Sequence, residues 1–524
     1  MLEKMSPSNS ATRVFLTCFV ALVLLSGLGL FWFRLSNSWG YIPVLIGLLP
    51  VGVSVVYLHC RGKLKNADYA VRAFAFILLA FCLTFVFAIP PMSSPDEGHH
   101  FLSSYWLSDI VMGDASINDG SNFPVRSDVV DMYESCSMAI GASQYDRVTD
   151  SFRLLADSPS KEQVTLFGFN FGSENIVAKI PSVLGIVIAR IMNLGAYPLF
   201  YIGRLCSAFF FVACAVIAVS ITPVGKAVFM GVSLLPMTLQ LAGSYSYDCG
   251  IIAFSLLLSA VLLHAILSEE RMGAAEMVSL VVLAAIVTPF KVVYAPILLL
   301  LFLIPRRRFG SKKAAFLFRF AVVFAAICSL VLIRFASVVS LVGTGADDLL
   351  DHRGAEMGTF YSLEDLLSDP IRTAAIFVRT LFDMGDFYVE SMIGSLPGWL
   401  QENLRAPNLL IYAYLVCLLL SVQKTPADNM EIPKRLKLCI VAALFLTYLG
   451  VSLSMFIGWT FVTEVVIQGV QGRYFLPVLP LGLLVFRSTD IEIKKSPIDV
   501  CLTSISLLNV IYIMRFASIA LSLP

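Results

Sequence analysis

Long apolar runs separated by short polar segments make up most of this chain. The runs at residues 14–33, 42–58 and 70–89 together hold a single charged residue, Arg72. A helix that crosses the hydrocarbon core of a bilayer needs about 20 apolar residues, so each run predicts a transmembrane helix. The remaining crossings are predicted at 198–221, 227–244, 248–267, 314–342, 407–423, 438–460, 474–487 and 498–522, with two short ones inside 277–304.

This pattern predicts an all-α, polytopic integral membrane protein with about 13 transmembrane helices. The basic residues between the runs set the predicted orientation. Residues 61–72 contain four of them, and residues 306–313 contain five. Because positively charged loops remain in the cytoplasm, the N-terminus is predicted inside and the segment that follows residue 90 outside.

The same alternation divides the chain into five predicted parts. Three of them hold the N-terminal, central and C-terminal transmembrane helices, at residues 1–90, 198–342 and 406–524. The other two are outer loops, at residues 91–197 and 343–405.

Each outer loop contains a segment typical of an interface helix. In the first loop, residues 180–192 are apolar but too short to cross a bilayer, so we expect them to lie along the membrane surface. In the second, Asp369-Pro370 predicts a helix start, and apolar residues follow at helical spacing.

Composition narrows the class of function. Hydrophobic residues make up 58% of the chain, charged residues 14%, and the mean hydropathy is +0.83. A formal net charge of +1 gives no general attraction to nucleic acid. The eleven cysteines are scattered singly, which predicts neither a disulfide framework nor a zinc site.

The most informative polar segment follows the third apolar run. Residues 90–101 read PPMSSPDEGHHF and place Asp96 and Glu97 at the end of a predicted membrane helix. A carboxylate near hydrocarbon is costly, so this pair is a functional-site candidate. Either could accept a proton from a hydroxyl, and His100, four residues after Asp96, could orient it or share a metal with it. A helix cap is the plainer interpretation of the acidic pair.

Other polar residues fall at the same predicted outer ends of the helices. Arginine and lysine there suit a phosphate headgroup, since Arg binds phosphate in a bidentate manner and Lys acts as a point charge. Anchoring of the helices in the interface is the alternative for Lys291 and Arg473, and helix capping is the alternative for Asp248. The set comprises Asp96, Glu97, His99, His100, Arg204, Tyr247, Asp248, Lys291, Tyr294, Gln468, Gln471, Arg473 and Tyr474.

Two motifs carry a resemblance to a known family. SPDEGHHF at residues 94–101 resembles the P-D-E-x-x-H-F signature of a bacterial membrane family known as domain of unknown function 2142, and GVQGRYFLP at 469–477 resembles its G-x-Q-G-R-Y-F-x-P signature. Weaker landmarks are Arg204-Leu205, Ser246-Tyr247-Asp248, Lys291–Tyr294 and GSLPGW at 394–399. The resemblance covers residues 85 to 490.

That family in turn resembles the GT-C membrane glycosyltransferases. The resemblance implies transfer of a sugar from a polyprenyl-phosphate donor to a cell-envelope glycan, lipid or protein, on the outer face of the bacterial cytoplasmic membrane. It implies Asp96 as the favoured general base, Glu97 as the alternative and His100 as an orienting group. Implied substrate-binding residues are Lys291, Arg473, Arg204, Asp248, Tyr294, Gln471 and Tyr474.

The resemblance has one departure and leaves two other functions open. GT-C enzymes commonly carry the acid after their first membrane helix, whereas two further predicted helices precede it here. No cofactor is expected, and a divalent metal is the less favoured interpretation of Asp96 and His100. A transporter or flippase of a lipid-linked saccharide is an alternative, as is a polysaccharide polymerase or ligase.

Overall fold

A computed structural model describes residues 67–113, 122–136, 138–146, 159–167, 176–343, 360–425, 428–457, 459–488, 490–493 and 496–523. The first two predicted transmembrane helices, at 14–33 and 42–58, and residues 61–66 of the basic loop lie outside these residues. Residues 344–359, in the second predicted outer loop, also lie outside the described ranges.

The first half of the fold is a set of helices with one small sheet. Strands β1 (Asn122–Arg126) and β2 (Gln163–Phe167) pair antiparallel, with Asn122 opposite Phe167, so the all-α prediction missed a small two-stranded sheet in the first outer loop. The helices are α1 (Ala67–Ala88), α2 (Glu97–Met112), α3 (Ser127–Ser135), α4 (Ile176–Ile191), α5 (Ala196–Ile221), α6 (Lys226–Ser233), α7 (Pro236–Ala242), α8 (Asp248–Leu267) and α9 (Ala274–Phe290).

The second half contains further helices, among them the 3-10 segments Val292–Leu303 and Gly472–Val478. The α-helices are α10 (Lys312–Gly343), α11 (Leu363–Ser368), α12 (Pro370–Asp383), α13 (Gly385–Ile393), α14 (Asn408–Val422), α15 (Lys434–Phe456), α16 (Leu479–Val485) and α17 (Pro497–Ser522).

Six described helices are long and apolar enough to cross a membrane, and four shorter apolar segments accompany them. The six spans are Asp68–Ala88, Ala196–Ile221, Asp248–Leu267, Lys312–Ile333, Lys434–Phe456 and Ile498–Ala520. The prediction of a polytopic membrane protein is confirmed, whereas the count of 13 stays a prediction. The central helix is α8, which packs against α5 and α9 and has the largest buried share of the six.

Two segments differ in detail from the predicted spans. Residues 227–244 form two short helices, α6 and α7, because Pro236 lacks the amide hydrogen needed to continue α6 and begins a new helix instead. The break predicted inside 277–304 is present: Lys291 has extended backbone angles between α9 and the following 3-10 segment.

Both segments predicted to lie in the interface form helices. The first is α4, which begins four residues earlier than the predicted segment, and the second is α12, where the Asp369 carboxylate accepts from the backbone N–H of Arg372 at 2.9 Å. Helix α12 buries Thr373 and Thr380 while it exposes large apolar side chains. Those are Ile371, Val378, Leu381 and Phe382.

Charged groups lie at two opposite ends of the helices. Helix α8 starts at Asp248 and runs to the loop that carries Arg271; α9 returns from Gly273 to Lys291. At the Arg271 end, Arg308 donates to Glu276 at 2.6 Å, and Arg306, Arg307, Lys312 and Lys313 are nearby in sequence. The acidic motif, Asp248 and Lys291 therefore lie at the end away from the strongest basic cluster.

Candidate functional site at the acidic motif

The turn between α1 and α2 is held by one arginine. Arg204 extends from α5 and donates to the carbonyls of Val86 (2.9 Å), Ile89 (2.6 Å) and Pro90 (3.0 Å). Its Nε and Nη2 donate to the two carboxylate oxygens of Glu97 at 2.8 and 2.6 Å. A guanidinium has five N–H donors, and these five bonds use all of them.

Glu97 is equally satisfied. Its carboxylate also accepts from the backbone N–H of Ser94 at 3.3 Å and of Tyr245 at 3.1 Å, and its side chain is inaccessible to solvent, as is that of Arg204. This arrangement argues against two of the sequence-based site assignments. A proton-accepting role for Glu97 or a phosphate-binding role for Arg204 would require the buried pair to be broken. In the structure, their bonds hold the turn that carries Asp96.

Asp96 has different surroundings although it is the adjacent residue. Its backbone is left-handed (φ 56°), a conformation that is strained for a residue other than glycine and is concentrated at functional sites. It occupies the N-cap position of α2, yet its side chain makes no cap hydrogen bond. That side chain is 49% exposed, and its Oδ2 lies 3.4 Å from Nη2 of Arg473. The capping interpretation therefore does not explain this carboxylate.

Asp248 links two cations at the start of α8. Its Oδ1 accepts from Lys291 Nζ at 3.2 Å, and its Oδ2 lies 3.4 Å from Nε of Arg473. It is the first residue of α8, whose N-cap position is occupied by Tyr247. Asp96, Asp248, Lys291 and Arg473 thus form one connected set of four charges, which we call the exposed-edge cluster.

Lys291 lies at the backbone break between α9 and the 3-10 segment. Its ammonium is 4.3 Å from the ring centroid of Tyr474 and 5.0 Å from that of Tyr247, so two aromatic faces and one carboxylate surround the charge. An interface anchor would extend toward water away from such contacts. The position of Lys291 therefore favours a role inside the cluster.

Arg473 is positioned by a close helix contact. The glycine before it, Gly472, has no room for a side chain, because an added Cβ would lie 2.0 Å from the carbonyl oxygen of Tyr388. Its N–H donates to Ser391 Oγ at 3.0 Å, which joins the 3-10 segment to α13. The Arg473 side chain is only 6% exposed, and within the described ranges its Nη1 has no hydrogen-bond partner.

The remaining predicted substrate-binding residues, Tyr294, Gln471 and Tyr474, make contacts within or next to the 3-10 segment that carries Arg473. Buried Tyr294 donates its hydroxyl to the carbonyl of Tyr474 at 2.8 Å, and the carbonyl of Gln471 accepts from the N–H of Tyr474 at 3.1 Å. Tyr294 therefore holds the backbone, whereas Tyr474 presents its ring to Lys291. Gln471 is partly buried where the 3-10 segment begins.

His100 is buried behind the cluster. Its ring meets the ring of Tyr247 edge to face at 4.7 Å. Burial, reinforced by the positive charges of Lys179, Arg473 and Lys291, holds the pKa of His100 well below its usual value, so the imidazole is neutral at physiological pH. Its Nδ1 has no hydrogen-bond partner in the part of the chain that the structure describes. No group of three or more possible metal ligands occurs in that part either.

Two supporting contacts were not predicted from the sequence. The side-chain amide of Gln240 pairs with both the N–H and the carbonyl of Gly398, each at 3.1 Å, which docks the GSLPGW motif beside Ser93. Buried Lys179 in α4 donates to Ser103 Oγ on α2, one turn after His100. Lys179, a charged residue within an apolar helix, was a sequence signal for its contact with Ser103. No sequence signal indicated the contact between Gln240 and Gly398.

The chain was compared with known families, curated proteins and solved structures. A family model described as "Predicted membrane protein (DUF2142)" matches residues 79–482, about three quarters of the 524 residues. The match includes both motifs and the whole exposed-edge cluster. Neither a curated protein nor a solved structure matches the chain. The chain belongs to the DUF2142 family of predicted membrane proteins.

Proposed function

We propose that this protein is a membrane glycosyltransferase that moves a sugar from a polyprenyl-phosphate-linked donor to a hydroxyl acceptor. One observation carries the proposal. Asp96, a half-exposed carboxylate in a strained conformation, lies at the ends of membrane helices beside a buried arginine, one of whose donors has no partner among the residues that the structure describes. Such a site can take a proton and hold a phosphate within a few ångströms of each other.

In the proposed reaction, Asp96 accepts the proton of the acceptor hydroxyl. The acceptor oxygen forms a bond to the anomeric carbon of the sugar, and the bond from that carbon to the phosphate oxygen breaks. The polyprenyl phosphate leaves with the electron pair. Arg473 and Lys291 stabilise the negative charge that develops on it, which is the largest contribution a site of this kind can make.

The charge balance of the exposed-edge cluster supports phosphate binding. Its two carboxylates and two cations sum to zero, so an arriving phosphate meets no net repulsion. The Nη1 of Arg473, which has no partner in the described part of the chain, can donate to the phosphate, and Lys291 can exchange a hydrogen bond to Asp248 for one to phosphate. The neutral His100 behind them adds no charge.

The cluster lies at the end of α8 away from the loop of Arg271 and Arg308. Since the most basic end of a membrane protein faces the cytoplasm, we infer that the site faces outward. Donors on that side carry their sugar on a lipid, and the flanking apolar helices fit a substrate that remains in the membrane.

The test uses purified protein in proteoliposomes and a panel of radiolabelled polyprenyl-phosphate hexoses and pentoses. Release of free polyprenyl phosphate is expected for one donor with wild type and not with Asp96→Asn. Asp131→Asn is the matched control, because Asp131 is an exposed carboxylate on α3 in the same outer loop. Absence of release from every donor with any hydroxyl acceptor would contradict a transferase.

A transporter of a lipid-linked saccharide is the second candidate. The break at Lys291 between α9 and the 3-10 segment favours it, because interrupted membrane helices often form substrate sites in transporters. The same proteoliposomes separate the two functions. A transporter moves the intact donor between leaflets and leaves the sugar–phosphate bond unbroken.

A further inference from the structure

A cleft with apolar walls opens on the side of the helix bundle between α4, α5 and α8. Its volume is about 350 Å³. Ile180, Leu184 and Ile188 from α4 form one wall, and Phe209 and Phe210 from α5 with Phe254 from α8 form the other. Four of these side chains are between 45% and 51% exposed, so the cleft is accessible from the side.

Two close helix crossings set the shape of this cleft. On Gly185 of α4, an added Cβ would lie 2.7 Å from the Cα of Gly203 on α5; on Gly250 of α8, it would lie 2.8 Å from the carbonyl oxygen of Ala178 on α4. Since the backbones already touch at both points, the three helices cannot move together to fill the space between them. The rings of Phe210 and Phe254, 5.3 Å apart, form a firm wall.

The cleft leads to the exposed-edge cluster. The ring of Phe254 packs on that of Phe290 at 5.8 Å, and the next residue is Lys291. Along α8, Phe254 follows Asp248 by six residues, about 9 Å at the rise of an α-helix. An apolar chain in the cleft would therefore have its attached phosphate within reach of Lys291 and Arg473.

We infer that the cleft binds the first isoprene units of a polyprenyl phosphate, with the phosphate in the exposed-edge cluster. This inference rests on the proposed function and assigns the place of the donor's lipid chain. A water-sized group occupies about 30 Å³, so the cleft has room for roughly a dozen carbon-sized groups, or about two five-carbon isoprene units.

The selectivity of the cleft comes from shape and not from the hydrophobic effect. A lipid chain gains no transfer energy when it leaves other lipid chains, so only closer packing and the attached phosphate favour the site. The aromatic rings and β-branched side chains form fixed walls against which methyl-branched isoprene can pack. A straight, mobile acyl chain fits such walls less well.

The test measures binding of radiolabelled long-chain polyprenyl phosphate to the full-length protein in phosphatidylcholine nanodiscs. Leu184→Trp fills the cleft and is expected to weaken binding roughly tenfold. Ile191→Trp is the matched control, because Ile191 lies on the same helix, is 71% exposed and is not part of the cleft wall. Its affinity is expected to stay within about twofold of wild type.

Competition tests the lipid selectivity of the cleft, and cross-linking tests where the lipid chain lies. Unlabelled polyprenyl phosphate should displace the probe, and phosphatidylglycerol at the same concentration should not. A polyprenyl phosphate with a diazirine on its second isoprene unit should label wild-type peptides from α4, α5 or α8, which gives an answer even if Leu184→Trp fails to fold.

Three results would overturn the inference. Wild-type affinity in Leu184→Trp, or labelling confined to other helices, would place the chain elsewhere while donor binding and the proposed function stand. Equal displacement by phosphatidylglycerol would make the cleft a general lipid site. If wild type binds no polyprenyl phosphate at all, the proposed function fails as well.

Discussion

Asp96 and Glu97 are adjacent in sequence and chemically similar, yet they belong to two different ion-pair systems. Glu97 and Arg204 are inaccessible to solvent, and every donor of the guanidinium is used within the protein. Asp96 and Arg473 contact each other at 3.4 Å, the carboxylate is half exposed, and the Nε and Nη1 of Arg473 have no hydrogen-bond partner among the described residues. The first system is complete without a ligand, whereas the second has bonding capacity for one.

This difference teaches how a single motif can supply both rigidity and chemistry. The fully bonded pair ties the ends of α1 and α2 to α5, and that fixed turn imposes the left-handed backbone of Asp96. The strain at Asp96 is therefore balanced by bonds made one residue away. Removing a member of the buried pair should therefore lower stability, whereas removing Asp96 should lower turnover and leave stability nearly unchanged.

The largest expected effect comes from breaking the buried pair. Arg204→Met should leave the Glu97 carboxylate without its counter-ion and reduce the free energy of unfolding by about 3–5 kcal/mol. Thermal or denaturant unfolding in detergent measures it. Arg405→Met is the control, since Arg405 is 40% exposed beside Glu390 and Glu402 and should lose about 1 kcal/mol or less. A folded, stable Arg204→Met that binds donor poorly would instead return Arg204 to the phosphate site.

The next effect concerns turnover and not folding. Asp96→Asn keeps the size of the side chain and should change the free energy of unfolding by no more than about 0.5 kcal/mol. Loss of the general base should lower kcat roughly a hundredfold or more, equivalent to about 2.7 kcal/mol in the barrier. Steady-state kinetics with the identified donor measure this. A wild-type kcat would remove Asp96 from the mechanism.

The sequence predicts the membrane helices and the segments near the site, but it does not predict the different roles of Asp96 and Glu97. The long apolar runs predicted the six long apolar helices that the structure describes, and the two motifs indicated the family and the segments that meet at the site. The sequence could not separate Asp96 from Glu97, because their roles depend on which carboxylate faces Arg204. That contact joins residues 107 positions apart, and no local pattern encodes it.

The same limit explains the other differences. Arg204 and Arg473 are both arginines at predicted helix ends, and only the packing around each shows that one is fully bonded and the other is not. Strands β1 and β2 are short and lie in a polar loop, where the alternation of apolar residues is weak. The docking of Gly398 on Gln240 depends on two distant segments that meet in the fold.

A smaller effect should separate donor binding from chemistry within the exposed-edge cluster. Arg473→Ala and Lys291→Ala each remove a charged donor, worth about 1.5–3 kcal/mol, so the Kd for polyprenyl phosphate should rise roughly tenfold or more. Arg473→Lys should recover part of the loss, since it keeps the charge but not the bidentate geometry.

Lys313→Ala, an exposed change at the basic end, is the control for that pair and should leave the affinity unchanged. Nanodisc binding of radiolabelled polyprenyl phosphate measures all four variants. Unaltered affinity in both Arg473→Ala and Lys291→Ala would mean that the cations only anchor their helices.

The smallest expected effect is the pH dependence of stability contributed by His100. Burial and neighbouring positive charges keep its pKa in the folded protein well below the value of about 6.5 for an unfolded histidine. As the pH falls below about 6.5, the unfolded chain takes up a proton at this position and the folded protein does not, so stability decreases by up to about 1.4 kcal/mol per pH unit. His100→Gln should remove this component, whereas His99→Gln, at a partly exposed neighbouring position, should retain it. Unfolding curves of the three proteins between pH 7.5 and pH 5.5 test the assignment. A wild-type pH slope in His100→Gln would show that His100 is charged or solvated in the folded state, contrary to its place behind the cluster.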